Sequence, residues 1–354
     1  MTSGNGSASF ANVATTASAQ PNAATQSDHW PSLKGKDFTG DISDAQLERF
    51  TRAHDCAGRN GDKEIASAAG GPYRRIPFMK IIRYENAAGE ICWGEENTLG
   101  PATRLYGDPF GGITKSAEPA VVHRLLAPLV PAAVFCIGLN YRQHAIETGA
   151  HLPQFPVVFM KSPGALQHPG GPIVLPRWMP STKVDYECEL AVVIGRACKN
   201  VSRENALDYV LGYTCANDVS ARDWQKEGGG TQWCRGKTFD TFLPLGPRLI
   251  TRDEIPNPNA LRIQTRIGAE TLQDANTSDM IFDIPTLIEF LSGSTTLLPG
   301  TVILTGTPSG VGMARNPPRF LQAGEEVSIE IENIGILTNP VIDEAAAGTS
   351  NFRL

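Results

Sequence analysis

The chain has 354 residues, 41% of them hydrophobic, with 31 Lys and Arg against 37 Asp and Glu and a formal net charge of −6. This length accommodates one large domain or two modest ones, and the composition excludes wholesale disorder. The acidic balance leaves no basic footprint for nucleic acid, and no apolar run is long enough to span a bilayer, so the expected partners include neither nucleic acid nor membrane.

Residues 1 to about 30 are rich in Ser, Ala, Thr, Asn and Gly, a composition that cannot bury enough surface to order itself. The stretch has no Lys or Arg before Lys34 and lacks the apolar core of a secretory signal. A cytoplasmic chain is expected, with a mitochondrial address as the alternative. The predicted organisation is a flexible extension over 1–71, a small β-containing subdomain over 72–131, a catalytic domain over 132–340 and a tail over 341–354. Within the extension, Asp44 to His54 reads as one short helix. Phe78–Tyr84 and Glu90–Gly94 read as paired strands around a turn at Asn86–Gly89, and Tyr106–Gly112 as a loop.

From Ala132 onward, strand-length apolar runs alternate with Gly/Pro-rich loops. The clearest strands are 133–137, 157–160, 190–194, 210–216, 301–304 and 326–331. One helix is predicted from Arg203 to about Leu211 behind a Ser202 N-cap, another from Asp283 to about Leu291 with Pro285 in its first turn. Strands outnumber helices without βαβ alternation, which predicts a β-rich α+β domain with a mixed sheet. Cys56, Cys92, Cys136, Cys188, Cys198, Cys215 and Cys234 form no Cys-x-x-Cys pair, which predicts reduced thiols in an intracellular protein.

The stretch Val184 to Gly195 carries the strongest chemical signal. Read as one strand, it puts Val184, Tyr186, Cys188 and Leu190 on one face and Asp185, Glu187 and Glu189 on the other. Converging carboxylates suit a hard divalent cation; the plainer alternative is a wet acidic face. Asp218, at the end of the next apolar strand, can complete the ligand set, or serve as an N-cap. Arg222 and Gln225 follow at four and seven residues, on one face if the segment turns helical. Arg222 and Lys237 are candidate cations for an anionic substrate; Lys237 has Phe239 and Phe242 on its C-terminal side, which argues against a plain surface lysine. His144 and Glu147, three apart, form a candidate acid/base pair or a surface pair. Gly306 to Gly312 is a Gly-rich loop whose hydroxyls and amides can hold a carboxylate, and it lacks the Lys of a P-loop. Gly228–Gly230 is a lid hinge or simply a flexible loop.

The order of these runs resembles the fumarylacetoacetate hydrolase family. The chain presents Gly-Leu-Asn-Tyr-x-x-His-x-x-Glu from Gly138, Asp-x-Glu-x-Glu-Leu-Ala-Val-Val-Ile-Gly from Asp185 and Asn-Asp-Val-Ser-Ala-Arg-Asp-Trp-Gln from Asn217. Gly-Lys-Thr-Phe-Asp-Thr-Phe from Gly236 and Gly-Thr-Pro-Ser-Gly-Val-Gly from Gly306 complete the series. Trp224-Gln225, Gln232-Trp233 and the Gly236–Phe242 run are similar to the family's domain-containing protein 2 subgroup. The likeness covers roughly 132–340, and the first 70 or so residues do not match.

The resemblance implies a mixed β-roll, a homodimer and one Mg2+ (or Ca2+ or Mn2+) per subunit. It assigns Glu187, Glu189 and Asp218 as metal ligands, with Asp185 outside the ligand set. It assigns His144 and Glu147 as the base dyad, and Lys237, Arg222, Gln225 and Thr307 as substrate contacts. The implied activity is on small 2-oxo acids or dicarboxylates through an enolate steadied by the ion. Hydrolysis of a C–C bond in an acylpyruvate-like compound, keto–enol tautomerisation of oxaloacetate, and isomerisation or decarboxylation all pass through that species. A silent metal-binding protein is the alternative from another class. No Gly-x-Gly-x-x-Gly follows a strand, which argues against a dinucleotide-dependent oxidoreductase.

Overall fold

The computed structural model describes residues 78–344. The predicted helix at Asp44–His54, Cys56, the whole of the 1–71 extension and most of the 341–354 tail lie outside the described residues.

Two sheets face each other across one continuous core. The larger has twelve strands. At its centre Cys188–Ile194 runs antiparallel to Val210–Asn217 on one side and to Thr301–Leu304 on the other. Both faces of this strand are buried, so it reads as an apolar run in which the one acid, Glu189, stands out. Thr301–Leu304 pairs in parallel with Ala133–Gly138, which pairs with the outermost strand, Val157–Lys161. In the other direction Val210–Asn217 pairs with Leu243–Thr251, and that strand pairs with Lys80–Glu85.

The hairpin expected around Asn86 is present, Lys80–Glu85 against Ile91–Glu95. Asn86 Oδ1 accepts from the Ala88 and Glu90 amides, and Gly89 takes a φ of +81°. Tyr106 is not in a loop: it lies in the strand Thr103–Asp108, which pairs with Gly112–Pro119. The turn shrinks to Pro109–Gly111, where Asp108 Oδ1 accepts from the Phe110 and Gly111 amides.

The smaller sheet has five strands in the order Glu270–Asn276, Arg262–Ile267, Glu326–Ile331, Gly335–Asp343 and Ile173–Leu175. Ile263, Ile329, Leu337 and Val341 from this sheet join Leu190, Val192, Tyr213 and Leu245 from the larger one in a single apolar cluster. Ile284–Ser292 is helical as expected, with the Asp283 carboxylate accepting from the Thr286 amide and Pro285 in the first turn. The other expected helix is a 3-10 segment, Arg203–Tyr209, and Ser202 does not cap its backbone. Its C-terminal end is claimed by the sheet, because Val210 pairs with Ile194. All six described cysteines are free thiols, five of them buried.

Candidate active site

The acidic run is not one unbroken strand. Val184–Asp185 pairs with Ser220–Ala221, Tyr186 and Glu187 leave the ladder, and pairing resumes at Cys188. The break is bridged locally: the Glu187 amide donates to Asn217 Oδ1 at 3.1 Å, and the Asp218 amide donates to the Glu187 carbonyl at 2.9 Å. That pair of bonds draws Glu187 against the end of the neighbouring strand. Carboxylate oxygens of Glu187, Glu189 and Asp218 then lie within 4.8 Å of one another. Oxygens on one divalent cation sit about 2.0–2.6 Å from it, so this spacing lets all three reach a common ion.

The face is dry. Asp185, Glu187, Glu189 and Asp218 are all buried, and so are Lys161, Lys237 and Arg222. Lys237 Nζ bonds Glu187 Oε2 at 2.6 Å and Asp218 Oδ2 at 2.7 Å. Lys161 Nζ bonds Asp218 Oδ1 at 2.6 Å and the Val219 carbonyl at 3.1 Å. Arg222 Nε donates to Asp185 Oδ2 at 2.8 Å, and its Nη1 lies 2.6 Å from Glu187 Oε1. Four buried acids therefore face three buried bases.

The deficit falls on Glu189. Its Oε2 accepts from the Gly306 amide at 2.6 Å, but no cation among the described residues pairs with it directly. Burial, then Asp218 and Glu187, push its carboxyl well above the usual range. Burial works the same way on Glu187, but Lys237 and Arg222 outweigh it and hold that group down at about 2. A buried carboxylate short of positive charge, next to two more hard oxygen donors, fits a divalent cation. The triad can hold such an ion, and its arrival would turn the local excess of one negative charge into one positive charge.

Short elements deliver the remaining groups. Arg222–Lys226 is a helical turn with Ala221, not Asp218, at its N-cap, and Arg222 Nη1 donates to Gln225 Oε1 at 3.0 Å. Arg222 Nη2 is buried and has no hydrogen-bond partner among the described residues. Cys234–Lys237 follows, and Gly236 lets the two turns touch: a Cβ there would lie 2.4 Å from the Gln225 amide nitrogen. Lys237 Nζ also sits 4.9 Å from the centre of the Phe159 ring. Gly228–Gly230 forms the turn between these two helical pieces.

His144 and Glu147 lie on the helix Arg142–Glu147, with His144 Nδ1 2.6 Å from Glu147 Oε1. Glu147 Oε2 accepts from the Gly310 amide at 2.8 Å, which pins the helix to the Gly306–Gly312 loop. Gly310 has a φ of +98°, and a Cβ there would lie 2.2 Å from the Leu272 carbonyl oxygen. Asp185 anchors the same loop through the Gly312 and Met313 amides at 2.8 and 3.0 Å.

A cavity of about 260 Å3 gathers these groups: His144, Glu187, Glu189, Arg222, Gln225, Lys237 and Thr307 all line it. Asp218 and Glu147 stand just behind that wall, bonded to Lys237 and His144. A larger open cleft of about 530 Å3 around Lys80, Glu96 and Arg248 holds none of them. Sequence reasoning missed Lys161. Its signal is a lone lysine closing an otherwise apolar strand, Val157–Lys161, where a charge needs a buried partner.

The model of the fumarylacetoacetate hydrolase C-terminal domain matches residues 133–342. An oxaloacetate tautomerase of Xenopus laevis, described as mitochondrial, is 48% identical over 219 residues, 62% of this chain and 68% of its own. The mitochondrial oxaloacetate tautomerase of Homo sapiens is 46% identical over 218 residues, 61% of this chain and 69% of its own. Among solved structures, a 2-hydroxyhepta-2,4-diene-1,7-dioate isomerase from Mycobacterium marinum superposes with a TM-score of 0.65 at 40% identity, covering 75% of this chain and 99% of that one. A fumarylacetoacetate hydrolase from Exiguobacterium antarcticum gives 0.66 at 35% identity, covering 75% and 100%.

Proposed function

We propose that this chain, which belongs to the fumarylacetoacetate hydrolase family, interconverts the keto and enol forms of a small 2-oxo dicarboxylate, with oxaloacetate as the leading substrate. The observation that carries the reading is one cavity of about 260 Å3 lined by His144, Glu187, Glu189 and four side-chain donors, with Asp218 and Glu147 bonded directly behind its wall. The relatives named as oxaloacetate tautomerases favour this reaction within the range the site can support.

A divalent cation held by Glu187, Glu189 and Asp218 would draw electron density from the 2-oxo group and lower the cost of enolate charge. We assign it as Mg2+, with Mn2+ or Ca2+ as alternatives for the same oxygen donors. Arg222 Nη2, the Lys237 ammonium, Gln225 and the Thr307 hydroxyl would bind the substrate's oxygens, which only accept hydrogen bonds. Glu147 accepts from His144 Nδ1, so the neutral ring carries its proton there and leaves Nε2 free as a base. In the keto-to-enol direction Nε2 would take a proton from C3 of oxaloacetate, and the 2-oxygen would gain one. The reverse sequence restores the ketone, so no water, oxidant or leaving group is consumed.

Hydrolysis of an acylpyruvate-like C–C bond is the second reading, favoured by the likeness to the Exiguobacterium antarcticum hydrolase. It would require His144 to activate a water beside a second carbonyl. Parallel incubation of the purified chain and Mg2+ with enol-oxaloacetate, acetylpyruvate and fumarylacetoacetate separates the two. Accelerated enol decay without new products supports the tautomerase; release of acetate or fumarate supports the hydrolase; inertness toward all three rejects both.

A homodimer is part of the proposal. Val157–Lys161 is the last strand of its sheet, and Val157, Val158 and Met160 are exposed along it, with Ile146 and Leu152 exposed nearby in sequence. Apolar side chains on a sheet edge favour burial against a second copy. The names of the relatives favour the mitochondrial address over the cytoplasmic one.

A further inference from the structure

Gln273 lies on the strand Glu270–Asn276 of the smaller sheet, 1% exposed, with all of its amide's main hydrogen-bonding directions used. Its Oε1 accepts from the Cys188 amide at 3.0 Å and from the Thr265 hydroxyl at 2.7 Å. Its Nε2 donates to the Pro308 carbonyl at 2.9 Å and to Thr307 Oγ1 at 2.8 Å. Two of these partners have fixed polarity: a backbone N–H only donates and a carbonyl oxygen only accepts. They settle which end of the amide is oxygen. Thr307 Oγ1 must therefore be the acceptor in its bond with Gln273.

The consequence is chemical. A threonine hydroxyl can donate or accept, and which it does is set by its neighbours. With its acceptor role taken by Gln273, Thr307 retains one proton, and no acceptor for it is present among the described residues. Thr307 is 5% exposed and lines the cavity that holds the acids. We propose that Gln273 is a positioning residue that fixes Thr307 as a hydrogen-bond donor to the anionic substrate. This rests on the reading of Thr307 as a substrate contact. A donor aimed in advance at an oxygen that gains negative charge binds it without reorganising.

A competing role must be separated from this one. The same amide braces Cys188, which lies between Glu187 and Glu189, so losing it can loosen the metal strand instead. The full-length chain, Thr307→Val, Gln273→Met and the double variant are titrated calorimetrically with oxalate at saturating Mg2+. Oxalate is a planar dianion whose oxygens only accept. Mg2+ affinity is measured separately for each protein. Each single variant is expected to weaken oxalate about tenfold, as for loss of one hydrogen bond to a charged group. The double variant is expected to bind no more weakly than Thr307→Val, and Mg2+ affinity is expected to hold within about twofold.

Wild-type oxalate affinity in Gln273→Met, losses that multiply in the double variant, or a matching loss of Mg2+ affinity overturns the inference while leaving Thr307 as a contact. Wild-type affinity in Thr307→Val removes that contact, and the inference falls with it. Should Gln273→Met fail to fold, Gln273→Glu replaces it. The new carboxylate keeps both accepting positions and reclaims the Thr307 proton, so it is expected to weaken oxalate at least tenfold, and far less in the Thr307→Val background. Equal weakening in both backgrounds overturns the inference.

Discussion

Glu147 holds His144 Nδ1 on one carboxylate oxygen, at 2.6 Å, and the Gly310 amide on the other, at 2.8 Å. One side chain thus sets the tautomer of the candidate base and ties its short helix to the loop that carries Thr307. His144→Asn is expected to keep the fold and the metal while turnover falls by about 10²–10⁴-fold, the usual worth of a positioned general base. Undiminished enol decay in that variant removes His144 from the reaction.

Lys237 links two of the three acids. Lys237→Met leaves Glu187 with Arg222 and Asp218 with Lys161, both still buried. Breaking such a pair costs about 3–5 kcal/mol, so urea unfolding in the presence of a chelator is expected to show a loss of that order. Saturating Mg2+ is expected to recover part of it, since Glu187 and Asp218 without Lys237 hold the cation more tightly than in the wild-type chain, and the tighter-binding folded state gains more by mass action. A loss unchanged by Mg2+ contradicts a shared charge balance.

Much of this candidate site is legible in the sequence. Glu187 and Glu189 stand out in the sequence as acids on one face of a strand, and Asp218 as an acid at the end of the next; all three are buried. The break at Tyr186–Glu187 was not legible, since alternation continues through it and only the Glu187–Asn217 bond reveals it. Leu243–Thr251 is not legible as a strand because Pro244 and Pro247 mimic loop punctuation. Arg262–Ile267 and Glu270–Asn276 were hidden by Gln264, Thr265, Gln273 and Asp274, polar residues that only the packed sheets pair. Ser202 looked like a helix cap because local chemistry ignores the neighbouring strand that takes Val210.

Away from the site, His168 Nδ1 accepts from the Ala127 amide at 3.0 Å, a bond that only the unprotonated nitrogen can make. Burial, then the Arg124 and Arg83 guanidinium groups, hold its pKa down at about 4 against the opposing pull of Glu85. The unfolded chain, titrating near 6.5, binds more protons than the folded one between those values. Stability from this group is therefore complete above about pH 6.5 and drains away as pH falls toward 4. The ring is partly exposed, and screening reduces the effect to about 1–2 kcal/mol. His168→Asn, whose Oδ1 can accept the same amide, is expected to flatten that part of the urea-midpoint profile; an unchanged profile assigns the pH dependence elsewhere.

That Glu187, Glu189 and Asp218 share one divalent cation is tested most directly by titrating Mn2+ into the chelator-stripped chain and into Glu189→Gln. The wild-type chain is expected to take up one ion per subunit. Glu189→Gln is expected to lose more than the ~100-fold in affinity that removing an outer-shell partner can cost. Equal Mn2+ binding by both proteins, or none by the wild-type chain, contradicts the shared site.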